Sequence, residues 1–413
     1  MPAKRLRCIQ CDHTFQISQL YNCPDCGGIL KVEYDYENIR INEVGIKKSV
    51  LSRYSSLLPI NENMIVTMGE GDTPLTEALH LGKWLGLENL YIKNEGCNPT
   101  GSFKDRPVSV GISKARDFGV KTVIISSSGN AGASVAAYAA KAGMEAIVLV
   151  PEGTPIPKIL QTITYGAQIV MVKGTFSHAF NIASLAADKL GWANLATTFL
   201  NPYTVEGNKT IAYEIVESLN GKVPEFIIIP LGDGPLLAGI WWGFNDFYKL
   251  GYINKLPKLI GVQADACAPI AVAFSKQRQE VEPWQGKSKT LASGIADSLE
   301  GYASDGNLVL SIIKDSNGYV TTVSEKEIIE SVYMLARLEG VYAEPSGAVT
   351  IKAIQKMVSQ GFINPDDTVV SIVTGHGLKD NLPDFQHPNT IPTIEEYEDL
   401  FKLIKKNKCG IVL

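Results

Sequence analysis

The stretch Asn98-Pro99-Thr100-Gly101-Ser102-Phe103-Lys104-Asp105-Arg106 places one lysine where a predicted strand turns into a predicted helix. Leu90-Tyr91-Ile92-Lys93 predicts the strand, asparagine, proline and glycine predict the turn, and Ser102 is expected to cap the helix. A surface lysine is the alternative, but a cation at a helix N-terminus opposes the helix dipole. Withdrawal from water lowers the pKa of an amine and lets it attack a carbonyl to form a Schiff base. We therefore predict a catalytic role for Lys104.

Short apolar strands alternate with helix-like segments from about Asn89 onward, a pattern typical of parallel sheets buried on both faces. Predicted strands cover residues 122–125, 146–150, 168–172, 226–229 and 368–373, and predicted helices cover 131–142, 157–165 and 178–190. Ligands bind beyond the carboxyl ends of such strands. We therefore expect an α/β fold with its functional site at these strand ends.

Two glycine-containing turns follow predicted strands and open predicted helices, an arrangement that favours anion binding. The first is Ser126–Gly132, and the second is Gly232–Gly239, where two glycines let the backbone approach a phosphate closely. Asp233 is expected to turn its side chain away from such an anion. A dinucleotide site is less well supported, because the six-residue glycine fingerprint and its downstream carboxylate are not evident.

The string Ser102-Phe103-Lys104-Asp105-Arg106 resembles the cofactor-lysine motif of fold-type II pyridoxal-phosphate enzymes, in the form used by threonine synthases. Further landmarks follow in the family's order: Gly71-Asp72-Thr73-Pro74-Leu75, Ser128-Gly129-Asn130, Gly232-Asp233-Gly234, Glu344-Pro345-Ser346 and Thr374-Gly375-His376-Gly377-Leu378-Lys379-Asp380. The resemblance implies a homodimer with two parallel-sheet domains in each chain. The large cofactor-binding domain would take residues 36–110 and 205–413, and the small α/β domain residues 111–204.

The resemblance also implies a role for each landmark, with pyridoxal phosphate carried on Lys104, which would also remove the proton from the substrate's α-carbon. Asn130 would contact the 3′-oxygen of the cofactor, and the substrate carboxylate would lie on Ser128, Gly129, Asn130 and Ala131. The cofactor phosphate would lie on Gly232, Asp233, Gly234, Pro235 and Leu236. The Thr374 hydroxyl would meet the pyridine nitrogen, which favours elimination and replacement over transamination.

The activity that the resemblance implies first is that of threonine synthase, which converts O-phosphohomoserine and water to threonine and phosphate. The family typically has arginine at the position of Thr204, an expected substrate contact, and often has a hydroxyl at Ala131. Threonine supplies neither the charge nor the bidentate geometry of arginine, and Lys209 is the candidate to compensate. The alternative is a β-elimination or β-replacement enzyme acting on serine, threonine or O-phosphoserine.

Two polar residues within these landmarks have structural alternatives. His376 lies in a glycine turn, where a lone histidine is more often structural than a general base. Glu344 precedes a predicted helix, so it either lines the site or caps that helix.

Four cysteines near the N-terminus form the pairs Cys8-x-x-Cys11 and Cys23-x-x-Cys26. Each pair can point two thiolates at one tetrahedral ion, and four thiolates leave no open position for catalysis. We therefore predict a structural zinc in a zinc-ribbon-like segment over residues 1–35, although the loop between the pairs is shorter than usual. Disulfides are the weaker interpretation in a reducing cytosol.

Composition is ordinary for a globular enzyme and argues against several other classes, and the resemblance implies a role in amino-acid metabolism. A net charge of −5 over 413 residues disfavours a nucleic-acid surface. Charges and glycines interrupt the apolar stretches, and no apolar run follows the basic N-terminus, so we expect neither a membrane span nor a secretory signal. We expect a cytoplasmic protein. The alternative of another class is a non-catalytic protein that uses its zinc ribbon to bind a partner, and Lys104 argues against it.

Overall fold

A computed structural model describes residues 3–39, 49–174, 176–380, 393–396 and 398–399. Residues up to Asp380 form one compact unit, and residues from Asn381 onward form a second. Most of the predicted large-domain segment beyond Asp380 therefore lies outside the described residues. Within the described part, no helix is both long and apolar enough to cross a membrane.

The strands of the described residues belong to three sheets. In chain order they are β1 Ala3–Cys8, β2 Thr14–Phe15, β3 Leu30–Tyr34, β4 Leu75–Glu77, β5 Asn89–Asn94, β6 Thr122–Ser126, β7 Glu145–Pro151, β8 Gln168–Val172, β9 Ala193–Asn194, β10 Phe226–Pro230, β11 Lys258–Ala264, β12 Tyr319–Val323 and β13 Thr368–Val373.

The α-helices of the described residues are, in chain order, α1 Val50–Arg53, α2 Leu79–Leu85, α3 Asp105–Asp117, α4 Asn130–Ala142, α5 Ile156–Thr164, α6 Phe176–Leu190, α7 Pro202–Gly207, α8 Lys209–Ser218, α9 Pro235–Lys249, α10 Pro269–Ser275, α11 Ala303–Asp315, α12 Glu325–Glu339, α13 Pro345–Ala348 and α14 Thr350–Ser359. The three helices predicted from apolar periodicity correspond to α4, α5 and α6, with ends that differ by at most two residues.

Two of the sheets are built mainly from buried parallel strands, as the continuous apolar runs predict. One has six strands in the order β12-β11-β10-β13-β5-β4, and only β4 runs antiparallel to its neighbour. The other has four parallel strands in the order β8-β7-β6-β9. All residues of β6 and β10 are buried, which explains why their sequences lack apolar–polar alternation. The fold class is therefore α/β, as predicted.

The third sheet is small and antiparallel, with the order β2-β1-β3. It belongs to residues 3–39, which we call the N-terminal ribbon. The ribbon packs on α7, α8 and α9 through buried polar contacts. Tyr34 donates to a Glu206 carboxylate oxygen at 2.5 Å, and Tyr36 donates to Asp246 at 2.6 Å. The Lys209 ammonium lies 2.7 Å from both carboxylates, so one cation is shared by two buried acids.

The expected helix cap at Ser102 is wrong. Helix α3 begins at Asp105, and the Ser102 hydroxyl is buried with no hydrogen-bond partner among the described residues. The backbone of Ser102 instead pairs with Gly375, next to the end of β13, which turns its side chain away from the helix end. The Asp105 carboxylate organises the turn, because it accepts hydrogen bonds from the Thr100 amide at 2.7 Å and the Thr100 hydroxyl at 2.6 Å.

Candidate active site

A cavity of about 970 Å³ lies at the carboxyl ends of strands from both parallel sheets. Its walls include the turn after β6, the turn after β10 and Thr374 after β13. These are the strand ends at which the sequence predicts a ligand site. The predicted residues that the structure brings together in this wall are Lys104, Ser128, Gly129, Asn130, Ala131, Gly232, Asp233, Gly234, Pro235, Leu236 and Thr374.

The Lys104 amine lies in this cavity and is not paired with a carboxylate among the described residues. Its Nζ atom donates to the Thr197 hydroxyl oxygen at 2.7 Å, and it lies 4.8 Å from the centre of the Phe103 ring. Burial lowers the pKa of Lys104, although the carboxylates of Asp233, Glu344 and Asp297 act in the opposite direction. A neutral amine is the nucleophilic form, so this surrounding suits attack on a carbonyl.

A buried ionic cluster anchors the turn that carries Lys104. Arg106, two residues further on, contacts Glu95 at 2.6 Å and Glu214 at 2.5 Å. Lys93 on β5 also contacts Glu214 at 2.5 Å. Two cations and two carboxylates thereby balance in charge, which offsets the loss of hydration that burial imposes. The cluster ties the start of α3 to β5 and α8, and so fixes where the Lys104 backbone lies.

The turn after β10 requires glycine at position 234. Gly234 has a φ of +108°, and a Cβ atom there would lie 2.0 Å from Val309 Cγ2. The sequence led us to expect that the Asp233 side chain points away from this turn, but it does not. Its carboxylate lines the cavity and accepts a hydrogen bond from the Gly234 amide at 3.1 Å. Burial and the neighbouring Asp297 carboxylate raise the pKa of Asp233 to about 7.

The turn after β6 is stabilised by its own serine. The Ser127 hydroxyl accepts hydrogen bonds from the amides of Gly129 at 3.3 Å and Gly132 at 3.1 Å. This leaves the amides of Asn130 and Ala131, at the start of α4, for an anion. Ser126 also lines the cavity, and its buried hydroxyl has no partner among the described residues. An unpartnered buried hydroxyl in a cavity wall indicates a place for a polar ligand.

Glu344 forms hydrogen bonds with both Asn130 and Thr374, the two expected contacts of the cofactor ring, which follow strands of different sheets. One carboxylate oxygen accepts a hydrogen bond from the side-chain amide of Asn130 at 2.9 Å, and the other accepts one from the Thr374 hydroxyl at 3.2 Å. Burial raises the pKa of this carboxyl group. Glu344 therefore lines the site, which was one of its two predicted roles. His376 is not in the cavity wall, and its Nδ1 atom accepts from the Leu378 amide at 3.1 Å, which suits the structural role.

The structure places Thr204 outside the cavity, so it does not join the expected substrate contacts. It is fully buried, and its hydroxyl donates to the backbone oxygens of Ala196 at 3.0 Å and Asn201 at 2.9 Å. Its methyl group packs against Gly111, where a Cβ atom would lie 2.7 Å from it. Lys209 cannot compensate, because its ammonium is held in the buried cluster beneath the ribbon.

The four ribbon cysteines come together in space, and their sulfur atoms all lie within 4.8 Å of one another. Cys8 and Cys26 are 3.5 Å apart, and Cys11 and Cys23 are 3.6 Å apart, so none of these pairs is a disulfide. A tetrahedral zinc with Zn–S bonds of about 2.3 Å would space its sulfurs by about 3.8 Å. The cluster therefore has the donor type and spacing of a closed metal site.

Comparison with known proteins identifies the family. Residues 66–375 match the family described as "Pyridoxal-phosphate dependent enzyme". The chain is 41% identical to a threonine synthase of Methanocaldococcus jannaschii over 91% of this chain and 92% of that protein. The chain belongs to the threonine synthase family of pyridoxal-phosphate dependent enzymes. It is also 38% identical to a threonine synthase of Methanosarcina acetivorans, with the same shares covered.

Solved structures of other enzymes share the fold at lower identity. Maize serine racemase superposes with a TM-score of 0.63 at 21% identity, over 81% of this chain and 92% of that one. A tomato (Solanum lycopersicum) threonine deaminase gives a TM-score of 0.64 at 22% identity, over 89% and 98%. The described residues therefore have the fold-type II architecture that the resemblance predicts.

The cavity residues suit pyridoxal phosphate on three observations. The Lys104 amine has a lowered pKa and no carboxylate partner among the described residues, Ser126 presents an unpartnered hydroxyl, and the Asn130 and Ala131 amides at the start of α4 are left for an anion. When bound, this cofactor withdraws electrons from the α-carbon of an amino acid and makes its hydrogen acidic.

Sequence reasoning missed Thr197 and Asp297, which both line the cavity. Thr197 follows the two-residue strand β9, which is too short to produce a recognisable apolar pattern. Asp297 lies in a loop without a regular element and carries no motif. A useful signal for Thr197 would have been its place after a strand that pairs with β6.

Proposed function

We propose that this protein is a threonine synthase, a pyridoxal-phosphate-dependent lyase that converts O-phosphohomoserine and water to threonine and phosphate. The observation that carries this proposal is the identity of 41% with the threonine synthase of Methanocaldococcus jannaschii over nearly the whole length of both chains. The Lys104 amine in the cavity, which has no carboxylate partner among the described residues, supports it, because such a lyase needs a group that takes up and returns protons.

In this proposal the expected site residues divide cofactor binding, substrate binding and proton transfer among them. Lys104 would hold the cofactor, and its amine, once released from the cofactor, would take the proton from the α-carbon of the substrate. Asn130 and Thr374 orient the cofactor ring, and Glu344 orients both of them through its two hydrogen bonds. Gly232, Asp233, Gly234, Pro235 and Leu236 hold the cofactor phosphate. The backbone of Ser128, Gly129, Asn130 and Ala131 holds the substrate carboxylate at the start of α4.

A second candidate function rests on the cations of the cavity. Among the described lining residues no arginine is present, and the lysines are Lys104, Lys158 and Lys379. Lys379 donates to the Thr100 carbonyl oxygen at 2.7 Å and to Gln161. The alternative is therefore β-elimination or β-replacement on serine, threonine or O-phosphoserine, of which the first two carry no phosphate.

One pair of assays separates the two candidates. Threonine synthase activity predicts release of inorganic phosphate from O-phosphohomoserine together with formation of threonine. Release of a keto acid from serine or threonine, with O-phosphohomoserine left intact, would favour the alternative. Lys104→Ala, assayed in parallel, controls for contaminating enzymes.

We further propose that Cys8, Cys11, Cys23 and Cys26 bind one structural zinc. The sulfur distances support a tetrahedral ion. The thiolate is the form that binds metal. Elemental analysis of protein purified without chelators tests this assignment, and an absence of zinc would contradict it.

We also propose a cytoplasmic homodimer with a small domain over residues 111–204 and a large domain over 36–110 and 205–413. Free thiols in the ribbon favour a reducing compartment. Light scattering tests the dimer, and limited proteolysis tests the domain division.

A further inference from the structure

The proposed phosphate turn offers few hydrogen-bond donors. At the start of α9, the Gly234 amide already donates to the Asp233 carboxylate, and Pro235 has no N–H group. The Ala238 amide donates to the Gly234 carbonyl oxygen at 3.0 Å, as in any helix. The Asp233 amide also faces the Asp233 carboxylate, so the amides of the turn and the first helical turn left for an anion are those of Gly232, Leu236 and Leu237. A phosphate dianion has three terminal oxygens, and each can accept more than one hydrogen bond, so three amides leave it short of donors.

The charges that surround this turn are mostly negative. Asp297 lies against Gly232, where an added Cβ atom would be 3.9 Å from Asp297 Cβ. Asp297 accepts from the Leu299 amide at 2.8 Å and from the Tyr302 hydroxyl at 2.9 Å. Asp305, at the start of α11, is a third buried carboxyl group.

Three neighbouring carboxyl groups cannot all be ionised beside a bound phosphate. Lys104 is the cation that acts on both Asp233 and Asp297, and its amine must become neutral in order to react. Burial raises the pKa of all three acids, to about 7 for Asp233 and to about 8 for Asp305. Asp297 and Asp305 each contact groups outside the phosphate turn, whereas Asp233 is part of that turn. Asp233 is therefore the carboxyl group placed to meet the phosphate.

We propose that Asp233 binds the cofactor phosphate as a neutral carboxylic acid, donating its own proton to a phosphate oxygen. The acid thereby supplies the donor that the turn lacks. The proton comes from solvent, no covalent bond changes, and cofactor binding takes up one proton at alkaline pH. This inference rests on the proposed assignment of the Gly232–Leu236 turn as the phosphate site.

The sign of the pH dependence follows from this exchange. Below the pKa of Asp233 the acid already carries its proton, so affinity does not depend on this group. Above that pKa each binding event must take up a proton, and affinity falls by about tenfold per pH unit. The second ionisation of a phosphate ester lies near pH ~6, so the ligand itself does not change between pH 7.5 and 8.5.

The test uses pyridoxine 5′-phosphate, an alcohol that cannot bond covalently to Lys104, titrated calorimetrically into protein freed of cofactor. For the wild-type protein, the dissociation constant should rise several-fold to about tenfold between pH 7.5 and 8.5. Asp233→Asn supplies an amide donor at every pH, so its dissociation constant should change less than about twofold. Asp265→Asn changes an exposed aspartate outside the cavity wall and should behave as wild type.

A second measurement needs no variant. Titration at pH 8.5 in buffers of different ionisation enthalpy should show uptake of nearly one proton per ligand by the wild-type protein. Equal pH slopes for wild type and Asp233→Asn, or no proton uptake, would overturn the proposal. Loss of the slope in Asp297→Asn alone would assign the proton to the neighbour and also overturn it. If the wild-type protein bound neither this ligand nor pyridoxal phosphate, the proposed function itself would be wrong.

Discussion

Replacing Thr197 by valine should make Lys104 more reactive toward pyridoxal phosphate. The Thr197 hydroxyl accepts a hydrogen bond from Lys104 Nζ at 2.7 Å, and this contact favours the charged ammonium form. Valine has nearly the same shape and cannot accept that bond. The neutral amine is the form that attacks the aldehyde. Its fraction therefore rises at every pH below the pKa of Lys104, where the charged form predominates in the wild-type protein.

The size of the effect follows from the contact that is lost. A hydrogen bond to a charged group contributes ~1.5–3 kcal/mol, and a neutral one ~0.5–1.5 kcal/mol. Water in the open cavity replaces part of the lost bond, so we expect a change of about 1 kcal/mol. That change corresponds to roughly a fivefold increase in the neutral fraction.

The assay is the rate at which pyridoxal phosphate becomes attached to the cofactor-free protein, followed across pH and trapped with borohydride. On the acidic limb, Thr197→Val should react about fivefold faster than wild type. Thr198→Val is the matched control, because the Thr198 hydroxyl accepts from the Leu200 amide and does not contact Lys104. An unchanged or slower rate for Thr197→Val, or the same gain in Thr198→Val, would refute the reasoning.

Three further predictions concern the site and the ribbon. Lys104→Ala should abolish turnover and leave the circular dichroism spectrum unchanged, and trapping of cofactor on another lysine with activity retained would contradict it. Replacing Cys8 and Cys11 by serine should remove the bound zinc and lower the melting temperature, so metal retained in the double variant would count against the site. Gly234→Ala forces a β-carbon against Val309 and should weaken cofactor binding by at least about tenfold. Equilibrium dialysis measures this affinity, and an unchanged value would contradict the prediction because it would show that the turn adapts.

The sequence predicts the fold well because its strongest signals are local. Apolar runs bounded by glycine mark β6, β10 and β13, and each ends in the wall of the cavity. Lys104 was identifiable because it follows a strand and precedes a helix within a few residues. These features depend on short-range patterns, and packing of distant segments does not override them.

The direction in which a side chain points depends on distant segments, and there the sequence is insufficient. Ser102 was expected to cap α3, but pairing of its backbone with Gly375 buries its hydroxyl elsewhere. Thr204 was expected in the site, but it packs against Gly111 and bonds to its own loop. The contact between Lys104 and Thr197 joins residues 93 positions apart, and no local pattern encodes it.

The contacts beneath the N-terminal ribbon mean that it is not a detachable module. A shortened enzyme that began after residue 39 would leave the carboxylates of Glu206 and Asp246 without the tyrosine hydroxyls that now cover them. The same truncation would remove the Ser18 carbonyl oxygen that accepts from Tyr203, on the helix just after the loop that carries Thr197. An N-terminally shortened chain would therefore mature poorly into enzyme, because buried carboxylates would lose the cover that the ribbon gives them.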